Sequence, residues 1–180
     1  SVNYLGAEVT QVGLNFSRPA AQILGQYYQF IRLGFEGYKG IQSNTMKVAE
    51  YLHEQIGKMK PFCNYSKKIC NPLFIWRLDP EYEKKAKWTL YDLQDKLRQS
   101  GWMVPAYTLP AKLEKTIVMR VVVRQGFSRD MADQLLTDIA NAVNELQKLE
   151  YPTTSRLATD SNLKVHGSVY THTGTAKQKK

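Results

Sequence analysis

The chain has 180 residues, of which 43% are hydrophobic and 23% charged, with a formal net charge of +9. That balance is globular and excludes wholesale disorder or a low-complexity scaffold. No apolar run approaches the roughly 18 residues a membrane span needs, so none is expected.

Residues 1–16 read as extended, with Gly6 and Gly13 punctuating the run. Ser1 rather than Met opens the chain, on a strand-like Val-Asn-Tyr-Leu. The expectation is a piece of something longer. Ser17 can cap a helix, and Pro19 is tolerated in a first turn because its missing N–H would have no partner there. Ile23, Tyr27, Phe30 and Ile31 then recur at three- and four-residue spacing, and the stripe resumes through Thr45, Val48, Leu52 and Ile56. This predicts one long helix, bent at Gly34 and Gly37 and ending at Gly57.

Leu73-Phe74-Ile75-Trp76 reads as a strand, and residues 79–88 as a charged loop. Thr89 caps a helix with Leu90, Leu93 and Leu97 on one face and Gly101 as its stop. Trp102 to Leu109 contains Pro105, which suits an edge or irregular strand. Thr116 to Val123 is the most strand-like run and suits a central strand covered on both faces. Met131, Leu135, Leu136, Ile139, Val143 and Leu146 make a long amphipathic helix. Residues 153–180, rich in Ser, Thr, Gly and Lys, read as a mobile tail. The order predicts an α+β fold, a small antiparallel sheet backed by helices.

Cys63 and Cys70 are too few for a disulfide framework, and His53, His166 and His172 lie apart from them. Two reduced thiols in a cytoplasmic protein without metal are expected. Residues 151–180 carry five Lys/Arg and one acidic residue, so the body is only mildly basic. Lys67-Lys68 and Lys84, Lys85 and Lys87 form short clusters, with Glu81 and Glu83 interleaving the second. Solvated loops, not a nucleic-acid surface, are the expectation.

Arg120 is the first candidate for chemistry. It stands inside Val-Met-Arg-Val-Val-Val, and alternation sends its guanidinium to one face of a sheet. There it can grip a carboxylate bidentately or serve a structural ion pair. Arg124 shares that face if the strand continues so far. Asn15-Phe16-Ser17 is the second: a hydroxyl beside helix-start N–H groups can hold an anion, or simply cap the helix. His172, in Tyr170-Thr171-His172-Thr173, reads alone as a solvated side chain. Asp92 and Asp95 are explained by a solvated helix face. No nucleophile elbow, phosphate loop, His-Glu-x-x-His or dinucleotide fingerprint is present.

Six motifs then fall in order. They are Asn3-Tyr4-Leu5-Gly6, Leu14-Asn15-Phe16-Ser17-Arg18-Pro19, Gln26-Tyr27-Tyr28, Thr89-Leu90-Tyr91-Asp92-Leu93, Gly101-Trp102-x-Val104-Pro105-Ala106 and Val118-Met119-Arg120-Val121. Together they resemble the C-terminal portion of bacterial glutamate decarboxylases, a pyridoxal phosphate (PLP) dependent family of the aspartate-aminotransferase-like fold. The resemblance implies three parts: the end of the large PLP domain at 1–17, a linker helix and small domain at 18–151, and a flexible tail at 152–180. It implies an enzyme that converts L-glutamate to 4-aminobutanoate and CO2, with a role in acid resistance.

Residue by residue, Arg120 matches the arginine that holds the substrate α-carboxylate. Phe16 and Ser17 match the segment that reaches the cofactor phosphate of a neighbouring subunit, which implies a homo-oligomer, at least a dimer. His172 and Thr173 resemble a His-Thr pair whose tail plugs the site near neutral pH, although this chain continues from Gly174 to Lys180. The family's PLP lysine follows a histidine, and no His-Lys pair occurs here. The chain alone is therefore expected to be inactive. Two alternatives stay open: a non-catalytic interaction or regulatory module of the same fold, and a related PLP amino-acid decarboxylase.

Overall fold

The computed structural model describes residues 2–4, 7–9, 17, 19–110 and 112–160. Strands β1 (Val2–Tyr4) and β2 (Ala7–Val9) pair antiparallel, with Val2 opposite Val9. Helix α1 runs from Ala21 to Lys58. Its N-cap is Ala20, which has no side-chain oxygen to offer. Ser17 therefore does not cap it: Pro19 and Ala20 still lie ahead of the first turn, beyond the reach of a cap three residues back. The expected bend is real and falls at Gly34, with φ 56° and ψ −170°. Only glycine adopts that backbone without strain.

The two parts of α1 differ in cover. Thr45, Val48, Ala49, Leu52 and Ile56 are buried, at the three- and four-residue spacing of one helix face. Ile23, Leu24, Tyr27, Tyr28, Phe30, Ile31 and Phe35 are all exposed.

The main sheet has the order β3-β4-β6-β5, entirely antiparallel. Its strands are β3 (Phe62–Asn64), β4 (Leu73–Leu78), β5 (Ala106–Thr108) and β6 (Ile117–Val122). β6 is central and β5 is an edge strand, both as the sequence suggested. Register places Phe74 opposite Val121 and Trp76 opposite Met119, so these side chains share a face. With Phe62, Leu78 and Ile117 they join the buried cluster under α1, α3 (Leu90–Gln99) and α4 (Arg129–Gln147). The helices contribute Leu52, Ile56, Leu93, Leu97, Ile139 and Val143 to that core.

The opposite face carries Leu73, Ile75, Arg77, Val118, Arg120 and Val122, none of which belongs to the cluster. Cover on this face of β6 is uneven: Val118 is fully buried, Arg120 half-buried and Val122 49% exposed, so the expected cover on both faces holds at Val118 and lapses toward Val122.

Two further segments depart from the sequence reading. Residues 79–88 are not all loop, because α2 spans Pro80–Lys85. Asp79 caps it through Oδ1, which accepts from the Glu81 and Tyr82 amides at 3.0 and 3.2 Å, and Pro80 takes the first turn. Nor is the chain from 153 structureless, since α5 spans Thr154–Asp160. Asp92 holds it. Its Oδ2 accepts from the Thr153 and Ser155 hydroxyls at 2.9 and 2.5 Å. The same atom accepts from the Thr89 amide and hydroxyl at 2.7 and 3.1 Å, completing the capping box of α3. The solvated-face reading of Asp92 is therefore wrong, while Asp95 is exposed.

Candidate functional site

Arg120 sits on the face of the central strand turned away from the main core, between fully buried Val118 and exposed Val122. Its amide donates to the Pro105 carbonyl at 3.2 Å, which pins β6 to the segment leading into β5. On the other side Ile75 of β4 lies directly opposite. The side chain is half-buried, and Nε is out of contact with solvent. The guanidinium carbon lies 5.8 Å from the centroid of the Tyr107 ring.

Beyond the end of the β5–β6 pairing, residues 102–104 form a small cleft of about 100 Å³ with Arg120, Val122 and Phe127. Its wall is held from α4. Trp102 Nε1 donates to Asp138 Oδ2 at 2.7 Å, and its ring meets Phe127 edge-on at 6.1 Å. The Ala106 amide donates to Gln94 Oε1 at 2.7 Å, which ties the start of β5 to α3. Arg120 therefore lines a small cleft built on sheet and helix, not on a loose loop. Such a setting strengthens a charge-assisted pair with a carboxylate relative to open water.

The second arginine of this face is held by an ion pair. Arg77 Nη2 binds Glu83 Oε2 at 2.6 Å. Arg124 does not extend the face, because β6 ends at Val122. It lines a separate cleft of about 300 Å³ with Tyr38, Gln42 and Thr45 of α1.

Ser17 is exposed on the approach to α1, an element distinct from the Arg120 cleft. Phe16, His172, Thr173 and His166 lie outside the described residues. His53, for which the sequence offered no partner, has its Nε2 2.7 Å from the Ser66 carbonyl and meets Phe74 edge-on at 5.4 Å. Cys63 and Cys70 are unbridged, and burial pushes the Cys63 thiol above its ordinary range. Among the described residues no helix is long and apolar enough to cross a membrane. No group of three or more His, Cys, Asp or Glu among them could hold a metal ion.

The sequence singled out Arg120 but not Tyr107 and Trp102 beside it, nor Asp92 as the anchor joining α3 to α5. Trp102 was readable only as part of a motif. Tyr107 gains meaning from strand register, which no local spacing encodes.

No protein-family model matches the chain. Curated relatives do. Glutamate decarboxylase 5 of Arabidopsis thaliana is 45% identical over 148 residues, 82% of this chain and 29% of the relative. A glutamate decarboxylase of Lactococcus lactis subsp. cremoris is 42% identical over 147 residues, 82% of this chain and 31% of its own length. The solved glutamate decarboxylase of Lactobacillus brevis superposes with a TM-score of 0.71 at 39% identity, covering 83% of this chain and 33% of that one. A sphingosine-1-phosphate lyase of Burkholderia pseudomallei, at 19% identity and TM-score 0.59, shares the fold.

These likenesses first define a class: the small α+β domain of the PLP-dependent, aspartate-aminotransferase-like fold. Within that class the chain belongs with the glutamate decarboxylases over the stretch it shares with them. That stretch is less than a third of the length of the curated relatives named here.

Proposed function

We propose that this chain is the part of a PLP-dependent glutamate decarboxylase that supplies the clamp for the substrate α-carboxylate. The complete enzyme would convert L-glutamate to 4-aminobutanoate and CO2 in the cytoplasm, as a homo-oligomer, in the service of acid resistance. The observation that carries this reading is the place of Arg120. A half-buried arginine on a central strand, lining a small cleft, can receive a ligand from outside the chain.

PLP, when bound, supplies an electron sink for the bond being broken. What the residues of this chain offer it is limited. No lysine here follows a histidine, so the family's cofactor lysine is not among them. Ser17, exposed ahead of α1, has a hydroxyl able to reach a phosphate beyond its own chain, with Phe16 preceding it in sequence.

Arg120 has two tasks. It binds the α-carboxylate, and its planar fork fixes the carboxylate's rotation. The scissile bond can then be held perpendicular to the ring plane of the cofactor, and such orientation is a large part of the rate enhancement. In the complete enzyme Arg120→Lys should lose far more activity than stability, because a point charge does not set that rotation. Near-normal turnover would discard the role.

The tail completes the reading. A neutral His172 beside Thr173 can occupy an apolar cleft, whereas a protonated one is costly to bury. Release would then come as pH falls below about 6.5. Deleting residues 165–180 should extend activity toward neutral pH, and an unchanged profile removes the gate from the account.

A further inference from the structure

We propose that Tyr107 is a positioning residue for Arg120: its ring sets the direction in which the guanidinium meets a carboxylate. The inference rests on the clamp reading above and adds a residue that no motif pointed to.

The placement follows from register. Tyr107 pairs with Val118 across β5 and β6, so it shares a face with Arg120, one diagonal step along the strand. The guanidinium carbon is 5.8 Å from the ring centroid, within the range of a cation–π contact. Ile75 stands opposite Arg120 on the other neighbouring strand. The side chain is thus flanked by an aromatic residue on one strand and an aliphatic one on the other, which restricts its rotamers.

The chemistry suits a ligand-binding arginine. A ring face orients the cation without adding a negative charge of its own. β5 is itself fixed at its start, where the Ala106 amide meets Gln94. The ring therefore stands on an anchored strand.

The test is a double-mutant cycle in the complete, cofactor-loaded enzyme, reading kcat/KM for L-glutamate alongside the thermal midpoint. Tyr107→Leu removes the ring and should lower kcat/KM by roughly threefold to thirtyfold, the span of a cation–π contact. Tyr107→Phe keeps the ring face and should stay within about twofold of the parent. In an Arg120→Ala background the leucine should produce no further loss. If leucine prevents folding, Tyr107→Met reads the same deletion in a flexible side chain.

An unchanged kcat/KM in Tyr107→Leu overturns the proposal. So does an equal loss in the presence and absence of Arg120, which would make the ring merely structural. If Arg120→Ala itself leaves kcat/KM intact, the clamp reading fails and takes this inference with it.

Discussion

On one face of the four-stranded sheet, Phe62, Phe74, Trp76, Met119 and Val121 join the core beneath α1, α3 and α4. On the other, Val118 is buried, while Ile75, Arg77, Tyr107 and Arg120 are only partly covered and Val122 is exposed. The strands are the same, and alternation alone separates the two sets. A charge on the first face would have to be desolvated without a partner. On the second it keeps access to ligands while sheet neighbours fix its stem. The division explains how Val-Met-Arg-Val-Val-Val can hold an arginine without breaking the core.

The largest way to break this division is on the covered face. Trp76 is fully buried, and Trp76→Ala should cost about 3–5 kcal/mol in denaturant unfolding. Next comes Asp92, where one carboxylate oxygen serves a helix cap and two distant hydroxyls. Asp92→Ala should cost about 1–3 kcal/mol and expose residues 153–160 to limited proteolysis before the sheet opens. A loss of protease resistance spread evenly along the chain would contradict that anchor.

Val122→Thr, at the exposed end of the second face, should stay within about 0.5 kcal/mol of the parent. A penalty as large as that of a core residue would mean that Val122 is covered in solution. The smallest effect belongs to Glu145, whose carboxyl is held below its ordinary range by the Lys96 hydrogen bond between α4 and α3. A lowered folded-state pKa gives stability that is present above the carboxyl's unfolded pKa and is lost as pH falls through the folded one. Glu145→Gln should therefore differ from the parent only near neutral pH, at the limit of a thermal-shift measurement, and match it in acid.

Much of this architecture could be read from the residues. β4, β6, α3 and α4 have long hydrophobic periods, and α3 also has the Thr89–Asp92 box. The short elements escaped. β3 has only three residues, and the Asp79-Pro80 start of α2 was submerged in the charge of its neighbours. α5 escaped because its stability comes from Asp92, which no local pattern reveals. Arg120 was visible because a charge interrupts an apolar run. Tyr107 was not, because its meaning depends on which residue of β6 lies beside it.

Asp92 also sets an order of events during synthesis. The Thr153 and Ser155 hydroxyls it receives lie 61 and 63 residues further along the chain. As the polypeptide emerges, α3 can close its own box with Thr89 at once. Its other two donors arrive only after β5, β6 and α4 have been translated. The final hydrogen bonds at the start of α3 are thus a late checkpoint, made when the nascent chain has delivered the segment beyond α4.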